Sequence, residues 1–165
     1  MSRIRIMPMP GQECVWDYPL PPKLEDSLKQ IRVVFNGAVI AETRRAKRVL
    51  ETGCPPVYFI PPEDVKMEYI SATEHTTHCE FKGVALHCKV VVNDKEAEDI
   101  GWWHPDPPPD FASIKGYIAF YPSKLDACYI DREKVEAVPG DSCVGWVTKD
   151  ITGPFKGAAS SLGYY

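Results

Sequence analysis

The stretch Thr77-His-Cys-Glu-Phe-Lys-Gly83 brings a hydroxyl, a thiol and an ammonium into a few neighbouring positions. On a strand, Thr77 and Cys79 point to one face while His78 and Glu80 point to the other. A bend at Gly83 brings Lys82 towards Cys79, where a cation favours the nucleophilic thiolate. The plain alternative is a core cysteine beside a surface lysine. Glu51 is the second candidate. Helical spacing over residues 43–52 puts it at a helix C-terminus, where a negative charge is disfavoured. Arg44 and Arg48 then share its face. They form either a solvated charged row or a grip for an anionic ligand, with Glu51 as base or hydrogen-bond acceptor. Cys79, Lys82 and Glu51 are therefore the catalytic candidates.

Six phenol and indole side chains (Tyr58, Trp102, Trp103, Tyr117, Tyr121 and Tyr129) are spread over predicted strands. Most belong to the core, and those whose polar tips reach a cleft can orient a small organic ligand. The expected binding set is Arg44, Arg48, Tyr58, Thr77, Trp102, Tyr117 and Tyr121. His75, His78, Cys79 and the pair His87-Cys88 are near one another in sequence, yet His78 and Cys79 diverge on a regular strand. Zinc needs convergent ligands, so no metal and no cofactor are expected. A Ser-His-Asp triad lacks its Gly-x-Ser-x-Gly elbow, and there is no Gly-x-Gly-x-x-Gly or Walker loop.

These groups sit on predicted β structure. Ile31–Phe35, Asn36-Gly37 and Ala38–Ala41 make a hairpin, because Asn and Gly accept the positive φ of a type I′ turn. Residues 43–52 read as the single convincing helix, with Ala46, Val49 and Leu50 as its apolar stripe, Thr43 as cap and Gly53 as stop. A proline-bracketed strand follows within 54–61, near a sheet edge. Pro62-Glu-Asp-Val-Lys66 suits one helical turn. Two strands cover 76–92, broken at Lys82-Gly83. A second hairpin turns at Asn93-Asp94 and runs to Trp102-Trp103, and a third turns at Asp131-Arg132. The loop Pro105–Pro109 is stiff, and Asp110 caps a short helix that buries Phe111 and Ile114. A last strand covers Val144–Thr148, after a turn at Pro139-Gly140. The expected fold is mainly β, an antiparallel two-sheet sandwich or a partly open barrel with one short helix near 43–52.

The chain of 165 residues divides into a proline-rich N-terminal arm (1–30), one β domain (31–157) and a flexible tail (158–165). With 44% hydrophobic residues it can bury a core, and sixteen prolines favour ordered loops over helices. A net charge of −4 argues against nucleic acid as a partner. No run approaches the roughly 18 apolar residues of a membrane span, and the start lacks the apolar core of a secretory signal. Six cysteines in a chain of this size read as reduced thiols, which points to the cytoplasm. Trp16 and Tyr18 can pin the arm to the domain or to a second copy, giving a homodimer.

Several stretches together resemble a widespread bacterial and fungal family of small β domains. These are Thr43–Glu51 running into Pro55–Pro61, Thr77–Gly83, Trp102-Trp-His-Pro-Asp-Pro107, Tyr117–Pro122 and Gly153–Gly157. The family is catalogued as a domain of unknown function, sometimes under a nucleotidyltransferase label. The resemblance implies a β-rich fold with a shared cleft. Nucleotidyl transfer would need a Gly-Ser phosphate loop and closely spaced aspartates for two Mg²⁺ ions. The chain has no Gly-Ser dipeptide and no Asp-x-Asp pair, and Asp94 and Asp99 lie five positions apart. The expected function is binding of a small polar or anionic ligand, in a pocket shared by the helix end, Thr77–Gly83 and Tyr117–Tyr121. The alternatives are an enzyme using Cys79 as nucleophile or redox thiol, and an interaction module that dimerises through the arm.

Overall fold

In the computed structural model, which describes residues 8–138 and 144–156, the chain is built almost wholly from strands. In chain order they are β1 (Glu13–Cys14), β2 (Lys23–Asp26), β3 (Ile31–Phe35), β4 (Ala38–Thr43), β5 (Lys47–Leu50), β6 (Val57–Phe59), β7 (Ile70–Cys79) and β8 (Gly83–Val92). They continue as β9 (Lys95–Trp103), β10 (Ile118–Phe120), β11 (Ala127–Ile130), β12 (Glu133–Lys134), β13 (Glu136–Ala137), β14 (Trp146–Val147) and β15 (Ile151–Thr152). Helical structure among the described residues is limited to 3₁₀ turns, the longest at Pro109–Ile114. Mainly β, with none of its sheets closed into a barrel, is the fold. No helix among the described residues is long and apolar enough to cross a membrane.

Two four-stranded antiparallel sheets dominate, ordered β12-β11-β3-β4 and β10-β9-β8-β7. The larger core lies between them, where Ile31, Val33 and Ile40 meet Cys88, Val90, Ile118 and Phe120. Burial pushes the Cys88 and Cys128 thiols up to about 12, as expected of cysteines that serve as packing. The opposite face of the β7–β10 sheet is covered too. There Ala85, Trp102 and Ala119 pack on Val49 and Phe59 and on Phe111 and Ile114 of the 3₁₀ turn. The middle sheet is thus buried on both faces over β8–β10, and the strand β7 forms its outer edge.

The three hairpin turns form where the sequence places them. Asn36, Asn93, Asp94, Asp131 and Arg132 all adopt positive φ, as does Gly37. The segment 43–52 departs from expectation. It is no helix: Lys47–Leu50 is the central strand of a three-stranded sheet, β2-β5-β6. Its Arg, Lys, Ala, Leu and Glu residues favour a helix intrinsically, but two flanking strands satisfy its backbone on both sides. Thr43 accordingly does not cap a helix; its hydroxyl donates to Asp64 at 2.6 Å. Asp110 makes no cap bond either, because Pro108 occupies the N-cap position.

Residues 13–26 pack against the domain. β1 pairs in parallel with β15, β2 pairs with β5, and Val15, Tyr18, Leu50 and Ile151 share a small core. The Trp16 indole donates to the Pro154 carbonyl at 2.6 Å. The loop after β5 meets the C-terminal segment as well, with Lys156 N–H donating to Gly53 and Trp146 N–H to Pro56. Cys54 in this loop is disulfide-bonded, which corrects the expectation that all six cysteines are reduced; Cys14, Cys79, Cys88 and Cys128 are free. The Pro139-Gly140 turn and the tail 158–165 lie outside the described residues.

Candidate functional site

The sequence-derived candidates fall into separate places. Arg44, Arg48 and Tyr58 line one cleft of about 500 Å³, together with Glu13, Glu25, Asp26, Lys29 and Asp131. The row Arg44-Arg48-Glu51 expected of a helix does not form, because the segment is extended. Arg48 instead shares a strand face with its register partner Tyr58, and its guanidinium holds Glu13 with both oxygens and Glu25 with one. Arg44 reaches Gln30 at 3.3 Å. Burial pushes the Tyr58 hydroxyl above its usual range. Lys82 places its ammonium 5.8 Å from the centre of the Phe111 ring, and Cys79 closes the β7–β8 hairpin opposite Gly83. Tyr117 packs against the second core.

Thr77, Trp102 and Tyr121 do converge, and the residue they converge on is His87. This imidazole is 3% exposed. Its Nε2 lies 2.9 Å from Thr77 Oγ1, and its Nδ1 lies 2.7 Å from Asp99 Oδ1. The Tyr121 ring is nearly parallel to it at 6.3 Å, and Trp102 stands 4.8 Å from Tyr121. His75 approaches from the other strand, with ring centres 4.3 Å apart.

Two β-bulges create this convergence. Ala72 pairs with Cys88 and Thr76 with Leu86, so residues 73–75 of β7 all stand opposite the single residue His87. On the other side Cys88 pairs with Gly101 and Val90 with Ala97, so residues 98–100 of β9 stand opposite Lys89 alone. Bulges re-aim side chains, and here each outer strand turns one metal-ligating or acid–base residue towards the middle strand. The first bulge is pinned by Thr73, whose hydroxyl donates to the His87 carbonyl at 3.3 Å and accepts from the His75 N–H at 3.2 Å. The second places Asp99 at φ 55°, a conformation that aspartate tolerates better than most residues. A cleft of about 540 Å³ opens over the pair, lined by Thr73, Glu74, His75, Lys89, Glu98 and Asp99. An imidazole fixed at both nitrogens, between a hydroxyl and a carboxylate, can relay a proton or hold a ligand at a defined angle.

A second buried histidine lies close by. His104 is 1% exposed, its Nδ1 is 3.1 Å from the Val84 carbonyl, and its Nε2 has no hydrogen-bond partner among the described residues. Burial pushes its pKa down to about 4. The unfolded chain, with an ordinary value near about 6.5, takes up this proton first. Stability contributed here is complete above about 6.5 and falls as the pH drops towards about 4. Thermal melts of His104→Gln are expected to lose that part of the acid slope. An unchanged slope in the variant would show that His104 does not carry it.

Fold and site together define a mainly antiparallel β domain with a histidine-centred polar site on its middle sheet. The chain belongs to the family described as a domain of unknown function (DUF427, NTP_transf_9), whose model matches residues 23–131. The matched span contains Thr77, His87, Asp99, Trp102 and Tyr121. No curated protein gives a significant match.

Proposed function

We propose that the protein binds a small, positively charged polar ligand in the cleft over His75 and Asp99, with His87 as the oriented hydrogen-bonding group beneath it. The observation that carries this is the unbroken chain from Thr77 through both nitrogens of His87 to Asp99. A buried imidazole oriented at both ends costs stability unless every partner is in place, and such networks are kept where a defined geometry is needed. The cleft lining sets the sign of the ligand. Glu74, Glu98 and Asp99 face one ammonium, Lys89, which itself lies 2.8 Å from Glu96. An anion would meet three carboxylates there. The other cleft supports an anionic ligand poorly, since Arg48 already serves Glu13 and Glu25. Thr77 and Tyr121 act in this reading by fixing the His87 ring rather than by lining the cleft.

Ethylenediammonium is a suitable probe. Titrated at neutral pH into ¹⁵N-labelled protein, it is expected to give saturable shifts at the amides of His75, Lys89 and Asp99, while acetate gives none. One charge at about 4 Å is worth about 1 kcal/mol in water, so Asp99→Asn should weaken binding about fivefold. Saturable shifts with acetate, or with neither ion, would overturn the proposal.

A further inference from the structure

We infer that the cation this cleft takes is a divalent transition metal, held by His75, His87 and Asp99. One ligand atom from each of the three residues lies within 4.8 Å of the other two. They come from three adjacent strands of one sheet, and two of them are delivered by bulges that serve no pairing purpose. Two imidazoles and a carboxylate suit zinc, cobalt or ferrous iron, whereas magnesium and calcium prefer oxygen alone. Three protein ligands leave a coordination position for water or substrate, the pattern of sites that act on a ligand rather than staple a fold.

The hydrogen bonds around His87 say which nitrogen coordinates. Nδ1 faces Asp99 at 2.7 Å, the side from which the metal would enter between them. Nε2 faces Thr77 Oγ1 at 2.9 Å. For a ring that carries one proton on the side of Asp99, coordination through Nδ1 moves that proton to Nε2. The Thr77 hydroxyl then turns from donor to acceptor, and no proton is left over. Metal-bound histidines commonly donate their second N–H to a fixed partner, which orients the ring. Thr77 fills that part. The acidic cleft wall, Glu74 and Glu98, adds attraction for the ion without having to touch it.

The inference rests on the cleft taking a cation, and the experiment separates the two. Cobalt(II) is titrated into the full chain, with visible d–d absorption read as evidence of inner-sphere binding and zinc(II) used to displace it. One cobalt per chain is expected, with no thiolate-to-cobalt charge-transfer band, and magnesium should not compete. His75→Ala, whose ring is exposed and whose loss leaves the core intact, should weaken binding about tenfold or more, as should Asp99→Asn. His78→Ala, on the same strand, should leave it unchanged. Absent d–d bands, a thiolate band, or undiminished binding in His75→Ala would overturn the metal site. Should ethylenediammonium bind where cobalt gives no such bands, the cation cleft stands and the metal falls; should both fail, both fall.

Discussion

Gly101→Ala is expected to cost about 3 kcal/mol or more of folding stability, the upper end of what forced overpacking does. A Cβ at this position would lie 2.3 Å from the Ala119 carbonyl oxygen and 3.3 Å from its carbon. Both are backbone atoms inside the β9–β10 pairing, where Gly101 opposes Phe120 and Ala119 opposes Trp102. No flexible side chain can swing aside. Relief requires the two strands to part, and that moves Trp102 and Tyr121 away from His87. Gly116 is the informative contrast. It has φ 74° but nothing within 4 Å of its would-be Cβ. Gly116→Ala should therefore lose only the conformational share, about 1 kcal/mol. Urea melts of the two variants decide the matter: equal losses would show that the close approach of β9 to β10 is not what requires glycine at 101.

Arg48→Ala is expected to cost about 2 kcal/mol. Breaking a fully buried ion pair by removing one partner costs about 3–5 kcal/mol, and a surface pair about 0–1. Arg48 has a side chain 15% exposed, but Glu13 and Glu25 are 40% and 31% exposed, so an intermediate loss follows. The loss is greatest near neutral pH. Burial acts to raise the Glu13 carboxyl, but the bonds from Arg48 and Tyr18 outweigh it and hold Glu13 below the usual carboxylate range. A carboxyl lowered in the folded state contributes stability above its unfolded value, and that contribution vanishes as the pH falls through the folded value. The gap between wild type and Arg48→Ala should narrow in acid. Arg48→Lys keeps the charge but not the two-pronged hold, and should fall between them. A gap that stays constant from neutral to acid pH would mean that packing of the Arg48 stem, not the ion pairs, carries the effect.

Local turn chemistry made much of this fold legible from sequence. Asn36-Gly37, Asn93-Asp94 and the Asp131 of Asp131-Arg132 tolerate the positive φ that a tight hairpin turn requires, so the hairpins around them could be drawn without tertiary information. The stretch 43–52 was not legible, because its propensities favour a helix and only β2 and β6 on either side make it a strand. The site shows the same division. Thr77, Trp102 and Tyr121 were readable as polar or aromatic residues on strands. Asp99 was not, for it sits in the polar run Lys95–Asp99, which gives no sign of where extra residues enter the ladder. His75 suffers equally: β7 is exposed along nearly its whole length, so no alternation marks its register. A one-residue difference in either bulge would point these side chains elsewhere. The unusual density of Thr, His and Glu in β7 was the only available signal. Arg48 and Tyr58 face each other across two paired strands, whereas Glu13, the acidic partner of Arg48, comes from the segment 1–30 that reads as an arm.

The parallel pairing of Glu13–Cys14 with Ile151–Thr152 has a kinetic corollary. During synthesis the first strand must wait for residue 152 to leave the ribosome before its partner exists. The hairpins between them can close earlier, since each needs only a short loop. Assembly should therefore run from the middle of the chain outwards, with the seam between its two distant ends sewn last.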